Sequence, residues 1–324
     1  MTRFDGRLAP IALATRSGLE ESVHHGAGVA IGPDGTTLAT LGDPDLVVYP
    51  RSCLKPMQAH AMGGIGLELA DEQLAVACAS HDGSVTHLDA VRSILARYDL
   101  AESDLANTAA RPYGAAARVE ARAAGVEPSS LQQNCSGKHA AMLATCRING
   151  WAIDGYCELD HPLQMAITAG IEQLGAVVEH IGIDGCGAPT HAISLRDLAG
   201  AFATLAAPGS TIARAMSLHP VMVGGPVRDI TLWMQAVPTL VAKEGAAGVM
   251  AAGLADGRAI AYKVADGSDV ARQAVVAEAL RSADVDIDAV ATASSTVARV
   301  AVPVLGHAEP VGWLEALEWT RCSS

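Results

Sequence analysis

The sequence predicts an α+β fold in which helices pack on an antiparallel sheet. Strand-like segments come first, helical segments follow, and strands and one helix close the order. Two Asp-Gly turns, Asp34-Gly35 and Asp256-Gly257, each lie between apolar runs of strand length. The composition is 50% hydrophobic but only 3% aromatic, which suits small aliphatic side chains packed between helices and a sheet. We expect one domain over residues 1–324.

The first predicted elements are strands. Gly28–Ile31 and Thr36–Leu41 flank the first Asp-Gly turn, and Leu46–Tyr49 forms a short strand before Pro50. Pro56 then lies near the start of a helix that covers the Met57–Leu69 region, because proline is tolerated in a first helical turn.

Helices dominate the middle of the chain. Asp71 is the predicted N-cap of a helix over Glu72–Ala79. Apolar residues recur on one face of Thr86–Tyr98, as in an amphipathic helix. Further helices are predicted over Gly137–Thr145, Leu163–Leu174 and Ser194–Ala206.

The last part of the chain returns to strands. Gly248–Leu254 and Arg258–Val264 flank the second Asp-Gly turn, so the two hairpins can be neighbours in one antiparallel sheet. Asp269 is the predicted cap of a helix over Val270–Ser282, and a weak strand is predicted near Arg299–Val304.

Charge and composition exclude several function classes. The net charge of -13 and the lack of a basic block argue against a nucleic-acid partner. No apolar run is long enough for a transmembrane helix or a signal peptide, so we expect a cytoplasmic protein without a membrane partner. Seven cysteines, an odd number, favour free, metal-bound or catalytic thiols over a disulfide framework.

Lysine is rare and clustered in polar motifs. The four lysines are Lys55, Lys138, Lys243 and Lys263, whereas arginine supplies the other cations. Arginine cannot lose its proton in a protein, so the retained lysines point to amine chemistry. Lys263 is expected to be a solvated strand residue.

Ser52 and Lys55 are spaced by one helical turn, so the Lys55 amine can reach the Ser52 hydroxyl. A serine hydroxyl becomes a strong nucleophile only when a base takes its proton, and a desolvated lysine can be that base.

Ser80-His81 follows a predicted helix, where it is either a polar helix end or part of a site. His81 and His87 can also bind a metal, although no third ligand follows at helical spacing.

Asn134-Cys135-Ser136-Gly137-Lys138-His139 is the most unusual stretch, because it combines a thiol, a hydroxyl, an amine and an imidazole. With Asp184-Gly185-Cys186 it offers two thiolates and a carboxylate, which are ligands that zinc prefers. Lys138 can be a fourth ligand only as a neutral amine, which requires a strongly lowered pKa. The alternative is that Cys135 and Cys186 are buried apolar residues.

These stretches together resemble the Rhizobium etli-type L-asparaginases, also called the class 3 or asparaginase II family. The resemblance rests on motifs that occur in the same order along nearly the whole chain: Arg51-Ser52-x-x-Lys55-Pro56, Ala79-Ser80-His81, Asn134-Cys135-Ser136-Gly137-Lys138-His139, Asp160-His161-Pro162, Asp184-Gly185-Cys186 and Lys243-x-Gly245-Ala246.

The resemblance implies a fold similar to serine β-lactamases and penicillin-binding proteins, a homodimer, and hydrolysis of L-asparagine to L-aspartate and ammonia. It implies two Ser–Lys pairs, Ser52–Lys55 and Ser80–Lys243, in a single catalytic domain. It also implies a Zn²⁺ ion, which is bound by Cys135, Lys138, Cys186 and Asp184. Substrate contacts are expected from Arg51, His81, Asn134 and His139.

The expected mechanism has Lys55 accept the proton of Ser52, which attacks the side-chain amide, while Ser80 and Lys243 relay protons or form a second nucleophile pair. Two alternatives stay open. One is another serine amidohydrolase, either a peptidase or a β-lactam hydrolase. The other is a non-enzymatic zinc-thiolate or redox-sensing module built on Cys135 and Cys186.

Overall fold

The computed structural model describes residues 2–293 and 301–322. Its helices are α1 Leu54–Gly64, α2 Asp71–Ala77, α3 Val85–Arg97, α4 Ala115–Ala123, α5 Ser136–Asn149, α6 Pro162–Gln173, α7 Leu195–Ala206, α8 Thr211–Leu218, α9 Pro220–Val223, α10 Asp229–Ala236, α11 Asp269–Ser282 and α12 Ile287–Ala293. Its strands are β1 Ala9–Arg16, β2 Leu19–Ile31, β3 Thr37–Leu41, β4 Val47–Val48, β5 His180–Ile183, β6 Pro189–Ser194, β7 Val241–Gly245, β8 Val249–Gly253, β9 Ala259–Val264, β10 Val302–Gly306, β11 Glu309–Ala316 and β12 Thr320–Arg321. Short 3₁₀ turns cover Arg51–Cys53 and Glu102–Asp104.

The chain divides into two compact units. The sheet unit contains the residues up to Cys53, Ala192–Pro208 and the residues from Leu232 onward. The helical unit contains Leu54–His191 and Gly209–Thr231. The expectation of one domain over residues 1–324 stays a prediction.

The sheet unit is built on an antiparallel sheet. Nine of the described strands form it, in the order β10-β11-β1-β2-β9-β8-β7, with β3 paired to both β2 and β12. Helices α7 and α11 pack on this sheet and bury its apolar side chains, such as Val29 and Ile260. The predicted α+β class with an antiparallel sheet and packed helices is therefore confirmed.

The two Asp-Gly hairpins are neighbours in this sheet, as predicted. The strand β2 of the first hairpin pairs with β9 of the second, with Gly28 opposite Tyr262. Each turn supplies the positive φ that a tight connection needs, 80° at Gly35 and 93° at Gly257.

The helical unit is organised around α5. This helix packs against α2 and α3, and all of its residues from Ser136 to Cys146 are buried. Helix α6 packs on α1, and α8 packs on α2. The Asn134–His139 motif therefore leads into a largely buried helix.

Several predicted boundaries differ from the structure. Helix α1 begins earlier than predicted and ends at Gly64, where two glycines lower the helix propensity. Asp71 and Asp269 are not N-caps, because each is the first residue of its helix and the caps are Ala70 and Ser268. The predicted strand near Arg299–Val304 begins at Val302 in β10, and residues 299 and 300 lie outside the described part of the chain.

Within the described ranges, every helix is too short or too polar to cross a bilayer.

Candidate active site

Three predicted site residues belong to the sheet unit: Arg51, Ser52 and Lys243. Arg51 starts the 3₁₀ turn with a φ of 55°, a left-handed conformation that costs energy for a residue with a side chain. The turn packs tightly against β7, because a Cβ on Gly245 would lie 2.1 Å from the Pro50 carbonyl oxygen. Strain and close packing together fix the backbone that carries Ser52.

Lys243 lies on β7 and is fully buried. Its Nζ lies 3.0 Å from a carboxylate oxygen of Glu244 and donates a 2.9 Å hydrogen bond to the Glu244 carbonyl oxygen. The thiol of Cys53 donates to the Lys243 carbonyl oxygen at 2.9 Å. The sheet unit therefore brings the Arg51–Cys53 turn and the Lys243 strand together, and it neutralises the buried amine with the neighbouring carboxylate.

The other predicted residues belong to the helical unit, where Lys55 contacts Ser80. The Lys55 Nζ atom lies 3.1 Å from Ser80 Oγ, 2.5 Å from the Ala79 carbonyl oxygen and 3.5 Å from the Asn134 carbonyl oxygen. Lys55 and Ser80 are both buried. Three of the predicted stretches thus meet around one amine.

His81 is buried in the same region. Its Nε2 lies 2.9 Å from Ser136 Oγ, and its ring stacks on that of His87 with 5.3 Å between the centroids. Burial, together with the charges of His87 and Lys55, lowers the pKa of His81 well below its usual range. The imidazole is therefore neutral, and its Nδ1 has no hydrogen-bond partner within the described ranges.

The loop before α5 is held by side-chain amides. The Cys135 N–H donates to Gln133 Oε1 at 2.9 Å, and Asn107 Nδ2 donates to the same oxygen at 3.1 Å. Gly137 is needed for packing, since a Cβ at this helical position would lie 2.2 Å from the Val76 carbonyl oxygen. The close approach of α5 to α2 thus explains why the motif has glycine at position 137.

Cys135, Cys186 and Lys138 form one buried cluster. The Cys186 thiol donates a hydrogen bond to the Cys135 sulfur, which is the main reason that the pKa of Cys135 is lowered well below its usual value and that of Cys186 is raised. Lys138 Nζ lies 3.1 Å from Cys186 Sγ. Burial lowers the pKa of Lys138, but the charges of Cys186 and Cys135 raise it by more than burial lowers it. The net shift of the Lys138 pKa is therefore upward.

The donor chemistry of this cluster fits zinc in part. Two adjacent sulfurs suit a soft divalent ion, but Lys138 can join them only after it loses its proton, which its raised pKa opposes. Asp184 is near enough for its charge to act on Lys138, and its carboxylate accepts the Gly185 N–H at 2.8 Å. Among residues 2–293 and 301–322, no three His, Cys, Asp or Glu side chains converge as a metal-binding group.

His139 lies on the next turn of α5 and contacts Tyr156. Its Nδ1 lies 2.7 Å from the Tyr156 hydroxyl, which also accepts the Ala106 N–H at 3.0 Å. Burial and the charges of Lys138 and Lys55 lower the pKa of His139 well below its usual range. Its Nε2 is buried and has no hydrogen-bond partner in the described structure.

The helical unit thus brings together Lys55, Ser80, Asn134 and Cys135, and also Lys138 and Cys186. The prediction that these residues form one site with Ser52 and Lys243 stays a prediction, because the residues are divided between two units.

Sequence reasoning missed Glu244, Tyr156 and Ser136 as partners of site residues. Glu244 and Ser136 are sequence neighbours of Lys243 and Cys135, which was a usable signal. Tyr156 carries no local signal, because it lies in the loop after α5 and contacts His139 from 17 residues away along the chain.

Comparison with known proteins gives a family and structural relatives. The family described as L-asparaginase II matches residues 12–316. A crystal structure described as a β-lactamase from Mycobacterium bovis has 19% sequence identity and a TM-score of 0.43, over 83% of this chain and 94% of that chain. At this level of similarity the structural match supports no conclusion about activity. A search of curated proteins found no match.

Proposed function

The chain belongs to the L-asparaginase II family, and we propose that it is an amidohydrolase that converts L-asparagine into L-aspartate and ammonia. The observation that supports a Ser–Lys mechanism best is the 3.1 Å contact between Lys55 Nζ and Ser80 Oγ, because both groups are buried. A buried amine next to a serine hydroxyl is the arrangement that activates serine in enzymes without a catalytic histidine.

The proposed reaction uses Ser80 as the nucleophile and Lys55 as the base. Lys55 accepts the hydroxyl proton while Ser80 Oγ bonds to the side-chain amide carbon of asparagine. The proton then passes to the amide nitrogen, which leaves as ammonia, and an aspartyl ester remains on Ser80. Water then attacks this ester while Lys55 takes its proton, the bond from Ser80 Oγ to the carbonyl carbon breaks, Lys55 returns the proton to Ser80, and aspartate leaves.

This assignment differs from the pairing expected from spacing, in which Lys55 serves Ser52. The N–H groups of Ser80 and His81 donate to the carbonyl oxygens of Val223 and Asn134, so they are not available for an oxyanion. We propose that Ser52, on its strained turn, and Lys243 act as the second pair and stabilise the developing charge.

We also propose that Cys135, Lys138, Cys186 and Asp184 hold a zinc ion. The ion would supply fixed positive charge beside the substrate end of the site, and it would order the start of α5. The support for this proposal is the buried cluster of two sulfurs and an amine.

Serine substitutions test the mechanism. Ser80→Ala is expected to lower the rate of ammonia release from L-asparagine by at least about 10³-fold, because the nucleophile is lost. Ser52→Ala is expected to lower it by about 10- to 100-fold, since only transition-state stabilisation is lost. Ser93→Ala, at an exposed position of α3, is the control and is expected to leave the rate unchanged. Full loss in Ser52→Ala with a mild effect in Ser80→Ala would reverse the assignment.

Metal analysis of the purified protein tests the zinc site. We expect about one zinc per chain in the wild type and little in Cys135→Ala or Cys186→Ala, because each variant removes a thiolate ligand. Cys146→Ala removes another buried thiol of α5 and is the matched control. Wild-type protein that stays metal-free after incubation with zinc would contradict the proposal.

A further inference from the structure

The helical unit contains a cavity of about 470 Å³ that none of the predicted site residues lines. It lies between α3, α4 and the segment from Val126 to Gln132. This volume lies within the range of small-molecule binding pockets in proteins. The structure therefore has room for a ligand outside the Ser–Lys stretches.

The helix α4 covers this cavity without packing into it. Ala117, Ala121 and Ala124 lie on one face of the helix and line the cavity. None of the residues of α4 is buried, although a helix of this length ordinarily buries its apolar face. The start of α4 is held instead by polar contacts, such as the 3.0 Å hydrogen bond from Arg118 Nε to the Pro112 carbonyl oxygen.

The facing wall comes from α3. Val85, Leu88 and Arg92 line the cavity and share one face of that helix, whereas its buried residues lie on another face. Two apolar helix faces are thus separated by open space. A ligand with an apolar body would bury both of them.

An unpaired acceptor lies beside this space. Gln132 lines the cavity and is 5% exposed. Its Nε2 donates to the Glu127 carbonyl oxygen at 2.9 Å, which identifies the other amide atom as the oxygen. That oxygen, Oε1, has no hydrogen-bond partner in the part of the chain described, so the site lacks a donor.

The charges around the cavity are mainly negative. Glu102, Glu120 and Glu127 line it, against the single guanidinium of Arg92. Arg92 is paired with Glu102 at 2.8 Å and with Asp89 at 3.2 Å, and Glu127 lies 3.9 Å from Arg111. The lining therefore favours a positively charged ligand that can donate hydrogen bonds.

We propose that this cavity is a second binding site, which takes a small organic ammonium ion with an apolar body. The apolar body lies between the alanine face of α4 and the Val85–Leu88 side of α3. The ammonium group faces the carboxylates and supplies the hydrogen-bond donor that the region lacks. The proposal is independent of the asparaginase reaction.

Calorimetric titration of the full chain with 2-phenylethylammonium tests the site, with 3-phenylpropionate as a probe of similar size and opposite charge. Saturable binding of the cation, with one site per chain, is expected, and the anion is expected not to bind. Ala121→Phe fills the cavity and is expected to abolish binding. Ala123→Phe places the same side chain at an exposed position of α4 and is expected to keep it.

Glu120→Gln removes one lining carboxylate and is expected to weaken binding about two- to fivefold, as for a solvent-accessible ion pair. This variant keeps the test decisive if Ala121→Phe does not fold. The proposal is overturned if the wild type shows no saturable binding, if the anion binds as tightly as the cation, or if neither Ala121→Phe nor Glu120→Gln weakens the affinity.

Discussion

At the residue scale, the helical unit keeps its reactive groups buried and hydrogen-bonded. Lys55, Lys138 and His139 lie in an apolar interior, where an unpaired polar group would be costly. Each has defined partners: Ser80 for Lys55, Cys186 for Lys138 and Tyr156 for His139. Their reactivity therefore depends on neighbours that lie far away in the sequence.

His191 gives a pH prediction at this scale. It is buried, its Nε2 lies 2.8 Å from Thr168 Oγ1, and burial followed by the charge of Lys138 lowers its pKa to about 4. Below about pH 6.5 the unfolded chain takes up a proton that the folded chain does not, so the free energy of unfolding falls as the pH falls towards about 4. This group contributes up to about 3 kcal/mol of that loss.

The variant His191→Gln keeps a partner for Thr168 and removes the titration. Denaturant unfolding at pH 7 and pH 4.5 is expected to show a smaller acid-induced loss of stability in this variant than in the wild type. His307→Gln, at an exposed position, is the control for the loss of an imidazole. An equal loss in wild type and His191→Gln would contradict the assignment.

At the element scale, α5 determines how the helical unit packs. It begins with the Asn134–His139 motif and contacts α2 so closely that Gly137 has no space for a methyl group. The sequence predicted this helix and the polar residues at its start. The structure adds that Gly137 is needed for its lack of a side chain.

The matched substitutions Gly137→Ala and Gly200→Ala test this packing. Gly137→Ala is expected to lower the free energy of unfolding by about 1–3 kcal/mol through overpacking against Val76. Gly200, in α7, has open space around its missing Cβ, and Gly200→Ala is expected to raise stability by about 0.5–1 kcal/mol. Chemical denaturation measures both, and equal effects at the two positions would contradict the packing argument.

The sequence predicted those elements that have a local signal. Asp-Gly turns located the two hairpins, and apolar periodicity located α3. It did not predict β1 or β11, which pair with each other at least 300 residues apart, because no local signal reports so distant a pairing. It also did not predict α4, whose alanines bury no side chain and leave no apolar pattern.

At the scale of the whole molecule, the proposed catalytic residues are distributed over both units. Ser52 and Lys243 lie in the sheet unit, and Lys55 and Ser80 lie in the helical unit. Sequence spacing pointed to Ser52 and Lys55, and the family resemblance implied Ser80 and Lys243. Neither could decide which serine each lysine serves, because that choice depends on tertiary contacts. The homodimer and the cytoplasmic location stay predictions.

The most direct test of the proposed function is a product assay with the purified chain, zinc and L-asparagine, run beside a chromogenic β-lactam. Our account predicts ammonia and aspartate in equal amounts from asparagine, with no comparable turnover of the β-lactam. Hydrolysis of the β-lactam without ammonia release would identify a different serine amidohydrolase. No ammonia from zinc-loaded protein would contradict the asparaginase assignment.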